Sequence, residues 1–195
     1  MADGTLKVGT ITTSSGSGTV TVPSGVTFNV AGTLQSGGSA ITQGITEADQ
    51  WRITADHTGV GDITANWERN DTQFSYIGSC MTESSGIFTF PSTGIYLVMG
   101  SATGSVGGGA SQFVNLTLYN TINNSTYSNV AMAYSHAYTA DSYFSMQVKA
   151  ILDVTDTSNV KVKLGIAQNQ ANSVFVQGAT NRNMTYMTFI RLGDT

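Results

Sequence analysis

Alternation of apolar and polar residues with a period of two dominates this chain. Val160-Lys161-Val162-Lys163-Leu164 alternates without a break, and residues 113–119 place their three aliphatic side chains on one face. Successive side chains of a strand point to opposite faces, so this pattern is typical of strands that cover a core on one side. Helical periodicity is almost absent. The pattern therefore predicts an all-β protein, with both lysines on the solvent side of their strand.

Strand signals of this kind recur from residue 51 almost to the end of the chain. They fall at residues 51–55, 63–67, 74–77, 86–90, 94–101, 112–120, 129–138, 143–154, 159–167, 173–178 and 185–192. Asn70-Asp71 is a turn-forming pair, and the glycine-rich residues 104–111 predict a flexible loop between strands. Residues 46–50 are an exception, because Thr46 would cap a single helical turn there. Eight to eleven short strands joined by such turns predict a β-sandwich or jelly roll.

Residues 1–46 differ from the rest of the chain. Gly, Ser and Thr dominate them, yet apolar residues still alternate with polar ones around Pro23-Ser24-Gly25. Such short strands are not expected to form a core of their own, so we predict an extended, β-rich N-terminal arm or stem. Either three chains bury these apolar residues along a common axis as a stem, or the segment lies on a partner surface and adds strands to it. A disordered Gly/Ser tail is the alternative. The residues predicted to make the attachment are Leu6, Val8, Ile11, Val20, Val22, Val26, Phe28 and Val30.

One motif carries a resemblance to a known family. Residues 86–96 read Gly-x-Phe-x-x-Pro-x-x-Gly-x-Tyr, and residues 185–192 carry Phe189 and Leu192 three residues apart. The pair resembles the signature of the C1q and tumour necrosis factor superfamily of trimeric jelly-roll heads, over residues 47–195. On that resemblance Phe88 and Tyr96 would fill the core of two adjacent strands, and Gly94 would permit the turn after Pro91.

The same resemblance implies a homotrimer and a non-enzymatic role. The C-terminal strand would lie in the middle of the inner sheet near a threefold axis, which makes Tyr186, Met187 and Phe189 the candidate trimer-core residues. No collagen-like Gly-X-Y run precedes the head, so an immune role is not expected. The predicted organisation is an arm or stem at residues 1–46 and a jelly-roll head at residues 47–195.

Two further segments resemble virion surface proteins of tailed phages. They are Gly4-Thr5-Leu6-Lys7-Val8-Gly9-Thr10-Ile11-Thr12-Thr13-Ser14-Ser15-Gly16 and Thr46-Glu47-Ala48-Asp49-Gln50-Trp51-Arg52. The resemblance implies synthesis in a host cytoplasm and a final location on the virion surface. The polar N-terminus, which lacks the form of a secretory signal, agrees with that expectation.

Charge and composition exclude several function classes. Only 10% of residues are charged and the formal net charge is −4, with no basic stripe, so nucleic acid is not an expected partner. No apolar run approaches a membrane span of about 20 residues, so a membrane is not expected either. The one cysteine, Cys80, is expected to be a small buried hydrophobe rather than a nucleophile.

Catalytic and metal-binding patterns are not found. The two histidines, His57 and His136, have no Gly-x-Ser-x-Gly nucleophile motif to serve, so we predict no enzyme and no cofactor. Asp56-His57 is expected to be an exposed loop pair rather than a metal site. The acid pairs that would supply calcium lack an ordered ladder of ligands, so calcium is not predicted; they are Asp153 with Asp156 and Asp56 with Asp62.

The clustered tyrosines leave two alternatives. Tyr127, Tyr134, Tyr138 and Tyr143 would either stack on sugars and protein partners or fill the sandwich core, and the core is favoured. Trp51 and Trp67 are expected in the core or at an interface.

Three functions follow from these observations. The first is a homotrimeric virion structural protein, a capsid decoration or cement protein whose partners are itself and the major capsid protein or another virion protein. The second is a receptor-binding tail-fibre or spike tip that holds a host surface glycan or protein with the loops near residues 104–111 and 134–143. The third, a glycan-degrading enzyme, is not favoured, because the pattern does not indicate a pair of carboxylates that could act as acid and base on a glycosidic bond.

Overall fold

The computed structural model describes residues 24–27, 29–32, 35–36, 39–40, 44–169 and 173–195. The chain divides into two compact units, Met1–Thr42 and Gln43–Thr195. In the first unit, strands β1 (Gln35–Ser36) and β2 (Ser39–Ala40) form an antiparallel pair. The second unit, which we call the head, contains the other strands of the described residues. The task predicted for each part stays a prediction.

The described residues of the head contain strands and turns but no helix, which confirms the all-β fold. In chain order the strands are β3 (Ala48–Ile53), β4 (His57–Thr58), β5 (Gly61–Asp62), β6 (Trp67–Arg69), β7 (Thr82–Ser84), β8 (Ile87–Thr89), β9 (Gly94–Gly107), β10 (Ser111–Thr121), β11 (Ser128–Ala137), β12 (Ser142–Val154), β13 (Lys161–Gln168), β14 (Ser173–Val176) and β15 (Tyr186–Gly193).

These strands form two antiparallel sheets. In the first sheet the order is β12-β9-β15-β3-β6, and β14 and β4 continue it beside the far half of β9. Strand β9 is 14 residues long, so β15 and β14 share one of its edges while β12 occupies the other. In the second sheet the order is β11-β10-β13-β8-β7, with β5 also paired to β13. The two inner faces enclose one core, as in a jelly roll.

A cluster of aromatic side chains joins the two sheets. Phe88 on β8 lies 5.7 Å from Trp51, 5.0 Å from Trp67 and 5.2 Å from Phe189, measured between ring centroids. The first two contacts are edge to face, the geometry that aromatic quadrupoles favour. Phe88 and Phe189 are 0% and 1% exposed. Both tryptophans pack against the core as expected, and Phe88 is its centre.

Residues 91–94 carry the chain from the second sheet to the first. Phe88 lies on β8, which pairs with β7 and β13, whereas Tyr96 lies on β9, which pairs with β12, β14 and β15. Both side chains fill the core as predicted, at 0% and 1% exposed, but their strands belong to facing sheets and are not neighbours in one sheet. Gly94 has φ +144°, and a Cβ there would lie 2.6 Å from the carbonyl oxygen of Gly193. Only glycine lets β9 begin so close to β15.

The phenol of Tyr96 ties this crossing segment to the beginning of the head. Its hydroxyl donates to the carboxylate of Glu47 and lies 2.9 Å from Oγ of Ser92, which also donates to Glu47. Burial and the hydrogen bond to Glu47 raise the pKa of Tyr96 to about 12. The segment before β3 is thus held against the crossing turn by a buried polar contact.

The helical turn predicted at residues 46–50 does not form. Strand β3 begins at Ala48 and pairs with β15, so tertiary hydrogen bonding overrides the local capping signal of Thr46.

A buried carboxylate on β3 is held by three hydrogen-bond donors. The carboxylate of Asp49, 2% exposed, accepts hydrogen bonds from Nε1 of Trp51 at 3.0 Å, Nε of Arg69 at 3.1 Å and the backbone N–H of Met81 at 3.0 Å. These donors compensate the burial of its charge.

The flexible loop predicted at residues 104–111 is shorter than expected. Strand β9 continues to Gly107 and β10 begins at Ser111, so only residues 108–110 form the turn. A Cβ on Gly104 would lie 1.9 Å from the carbonyl oxygen of Phe175 on β14. Glycine is used here for the close approach of two backbones, a role that sequence composition does not distinguish from loop flexibility.

The aromatic cluster gives the first testable prediction. Replacing Phe88 by Ala should lower the free energy of unfolding by about 3–5 kcal/mol, because it removes the contact between the sheets and leaves a cavity. Urea denaturation followed by tryptophan fluorescence measures the loss. Tyr138, which is 82% exposed, provides a matched aromatic control. Equal losses for Phe88→Ala and Tyr138→Ala would contradict the central role of Phe88.

Candidate self-association surface

The outward face of the first sheet carries an apolar row across four strands. Ile151 on β12 stands opposite Leu97 on β9, which stands opposite Ile190 on β15, which stands opposite Ala48 on β3. Ile151 is 65% exposed. We call the outward side of β12, β9, β15 and β3 the open face. Because the other side of these strands is already in the core, this row faces away from the head.

The next two rows of the open face are more polar. Lys149, Met99, Thr188 and Gln50 form one row, and Gln147, Ser101, Tyr186 and Arg52 form the other. Between them lies a depression of about 440 Å³. Its lining combines apolar groups with hydroxyl, amide and ammonium groups from the side chains of Gln50, Met99, Ser101, Gln147, Lys149, Tyr186 and Thr188, and it also includes Gly100 and Val148.

A hydrogen-bonded amide cluster holds one side of this depression in place. The Asn70 side chain donates to Oε1 of Gln50 at 2.7 Å and to Oδ1 of Asn183 at 2.8 Å. The amide of Asn183 also donates to Oε1 of Gln50 at 2.7 Å, and Gln50 donates to Oγ1 of Thr188 at 2.8 Å. These contacts fix side chains from four segments of the head. The shape of the open face is therefore set before any partner arrives.

A buried arginine lies at the β6 end of the open face. Arg52 is 1% exposed, and its Nη2 lies 2.6 Å from Oδ1 of Asp71 and 3.6 Å from Oε2 of Glu68. The hydrogen bond from Arg52 lowers the pKa of the Asp71 carboxyl from its ordinary value. One guanidinium thus faces two carboxylates. These three side chains together carry an excess of one negative charge.

At the side of the head where β11 and β12 lie, the edge strands of both sheets are left without a further strand partner among the described residues. Among the described strands, β11 pairs only with β10 and β12 only with β9. Strand β11 has no charged residue, and its outward side chains Val130, Met132 and Tyr134 are 39%, 42% and 61% exposed. We call these three residues and their strand the open edge. Natural edge strands usually carry charge or proline against unwanted pairing, so this edge is typical of one covered by a partner.

The tyrosines predicted to fill the core do not. Tyr134, Tyr138 and Tyr143 are 61%, 82% and 70% exposed, and Tyr127 is half-buried beneath the ammonium of Lys163, 4.3 Å from its ring centroid. The core is filled instead by residues that include the aliphatic side chains of β10 and β13 and four phenylalanines, Phe88, Phe90, Phe144 and Phe189. Sequence alternation does assign Tyr134 to the outward face of β11, because Ala131 and Ala133 occupy the inward positions.

The candidate trimer-core residues lie on both sides of β15. Met187 and Phe189 are 0% and 1% exposed and fill the sandwich core, whereas Tyr186 is half-buried on the open face. Alternation along the strand therefore leaves only Tyr186 with a side chain available to another copy. Whether it lies at a trimer axis stays a prediction.

The predicted attachment residues are mostly beyond the described part of the chain. Val26 and Val30 are described and are 59% and 37% exposed. Leu6, Val8, Ile11, Val20, Val22 and Phe28 lie outside the described residues.

The histidine, cysteine and acidic side chains that could carry catalysis or bind a metal are scattered over the head. No three His, Cys, Asp or Glu side chains come together in the described ranges in a way that would hold a metal ion. His57 lies on β4, and Asp56 accepts a hydrogen bond from the backbone of Gly178 at 2.9 Å. Cys80 is half-buried rather than fully buried, and burial raises the pKa of its thiol. No helix in the described part of the chain is long and apolar enough to cross a membrane.

Solved structures with the same fold are TNF-like jelly rolls. Murine APRIL at pH 5.0 matches with a TM-score of 0.56 at 12% identity, over 75% of this chain and 98% of that chain. Eiger TNF from S. frugiperda matches with a TM-score of 0.56 at 13% identity, over 76% of this chain and 93% of that chain. At these identities the likeness shows the fold alone, and it confirms the jelly roll predicted from residues 86–96. No family model and no curated protein sequence matches the chain.

His57 gives a prediction of pH dependence. Burial lowers its pKa from the ordinary value of 6.5, although a hydrogen bond involving the backbone of Gly59 acts in the opposite direction. Below pH 6.5 the unfolded chain therefore binds a proton more readily than the head does, and stability falls as pH decreases. The melting temperature should drop between about pH 7.5 and pH 5.5, and His57→Gln should reduce that drop. The exposed His136, changed to Gln, should leave it intact; equal effects would refute the assignment.

Proposed function

We propose that the head closes into a homotrimer, with the open edge of one copy packed against the open face of the next. The observation that carries the proposal is the presence of two different exposed apolar surfaces on one chain. A contact between unlike surfaces is heterologous, and it satisfies both surfaces on every copy only when the copies close into a ring. The number three comes from the resemblance to trimeric jelly-roll heads.

The chemistry of the two surfaces supports this contact. The open edge supplies Val130, Met132 and Tyr134, and the open face supplies the row of Ile151, Leu97 and Ile190. Aromatic residues and methionine are enriched at protein interfaces, and charged residues are depleted at their centres. The depression of about 440 Å³ beside the apolar row offers a pocket for a large side chain from the approaching edge.

We propose further that the trimer is a non-enzymatic structural protein of a virion surface, of the capsid decoration or cement type. Its partner would be the major capsid protein or another virion protein, held by residues 1–46. Support comes from the resemblance of residues 4–16 and 46–52 to virion surface proteins and from the apolar residues of the arm, two of which, Val26 and Val30, are exposed. The three arms of one trimer would bind with an avidity that exceeds the affinity of each arm alone.

A receptor-binding tip is the second candidate, and one observation favours it. The turns at residues 108–110 and 138–141 lie at the same end of the head, because the backbone of Asp141 donates to Val106 at 2.8 Å and Ser111 pairs with Ala137. Tyr138 lies there, 82% exposed and stacked on His136 at 5.9 Å. An exposed tyrosine held by a stacked neighbour is suited to packing on a host glycan or protein.

Deleting residues 1–35 separates the two candidates. For a decoration protein, the truncated head should no longer sediment with undecorated capsids, whereas the full chain should do so. For a receptor-binding tip, the truncated head should keep its binding to host cells. If the full chain binds host cells but does not bind undecorated capsids, the decoration proposal is overturned.

Self-association has its own test in the exposed apolar row. Replacing Ile151 by Glu should convert a trimer at micromolar concentration into monomers, because it buries an unpaired charge at the contact. Analytical ultracentrifugation measures the mass, and circular dichroism checks that the monomer is folded. Ile122 is 75% exposed in the turn after β10, so Ile122→Glu is the matched control and should stay trimeric. A trimeric Ile151→Glu variant would refute the proposed contact.

A further inference from the structure

The open face carries Lys149 and Asp153 on β12 at one lateral edge and an acidic group at the other. Lys149 is exposed on β12 at one edge, and the excess carboxylate of the Arg52, Glu68 and Asp71 group lies at the other edge, beside β6. We propose, on the basis of the ring proposed above, that Lys149 of one copy forms an ion pair with Glu68 and Asp71 of the next. The partner is a second copy of this chain.

Register places Asp71 next to the row of Lys149 and places Glu68 in the neighbouring row. Lys149 shares its row with Met99, Thr188 and Gln50, and the backbone of Asn70 continues that row by donating to Gln50 at 2.9 Å. Glu68 belongs to the neighbouring row, through its pairing with Arg52, and Asp71 follows Asn70. In a ring whose threefold axis runs along the strands, groups in the same or neighbouring rows of two copies lie at similar heights and can meet.

Lys149 cannot reach these acids within its own chain. Strands β12 and β6 are separated by β9, β15 and β3. Four strand spacings of about 4.8 Å put the two edges roughly 19 Å apart, beyond the reach of an ion pair. In the described part of the chain, the ion pairs of the head do not include Lys149.

The acidic group retains capacity for a further cation. Arg52 is shared by two carboxylates, and Oε2 of Glu68 is buried without a hydrogen-bond partner among the described residues. Asp71 is 66% exposed and so open to contact. A lysine from a neighbouring copy would balance the charge by contacting Asp71 and the exposed part of the Glu68 side chain. An ion pair between the β12 side of one copy and the β6 side of the next would also fix the orientation of the open edge on the neighbouring open face.

Charge reversal tests the pair. Lys149→Glu and Glu68→Lys should each raise the concentration at which the trimer dissociates by about tenfold or more, and the double variant should recover most of that loss. Sedimentation over a dilution series at low and high salt provides the measurement, with circular dichroism as the check on folding. Lys161→Glu on the second sheet is the matched control, because Lys161 is a half-buried strand lysine away from the open face.

The outcomes separate the pair from the ring itself. The pair is supported if the wild-type trimer dissociates more readily at high salt and Lys149→Gln loses that salt dependence. This result supports the pair even if Glu68→Lys does not fold. A trimeric wild type and an equally stable Lys149→Glu trimer overturn the pair and leave the ring in place. A wild type that stays monomeric at every concentration overturns both.

Discussion

The packing of Phe88 against the first sheet is the contact on which the head depends. Phe88 is the place where β8 of the second sheet meets three strands of the first, through Trp51, Trp67 and Phe189. The crossing turn that follows it is short, so the position of β8 also fixes where β9 begins. Because β9 is the longest strand and pairs with β12, β14 and β15, this one contact orders most of the first sheet.

Once the inner faces are packed, the remaining apolar side chains have no place inside the head. Alternation sends Leu97, Ile151 and Ile190 outward, opposite the core residues that are their neighbours in sequence. An antiparallel sheet can leave one face to water when that face is polar, but this one carries an apolar row. The open face and the open edge are thus a consequence of the same pattern that builds the core, and they are the basis of the proposed trimer.

Charge completes this picture because the head has so little of it. Because only 10% of residues are charged, the few charges near the open face restrict what can pack against it. Arg52 faces two carboxylates, whereas Lys149 takes part in none of the ion pairs found among the described residues. In an assembly held mainly by apolar contacts, a pair of this kind contributes more to the choice of geometry than to affinity. It would favour closure into a ring over other associations of the same apolar surfaces.

The sequence by itself determined the strand content, most strand positions and the jelly roll, because alternation and the residues 86–96 are local features that survive in any context. It also assigned Tyr186 to the C-terminal strand of a candidate interface. Only the tertiary structure decided which strands share a sheet, since pairing joins residues far apart in the chain. It placed Phe88 and Tyr96 on facing sheets, left Tyr134 exposed and brought Arg52 to Asp71. The physical reason is that alternation tells which side of a strand is apolar, whereas burial depends on what lies across from it.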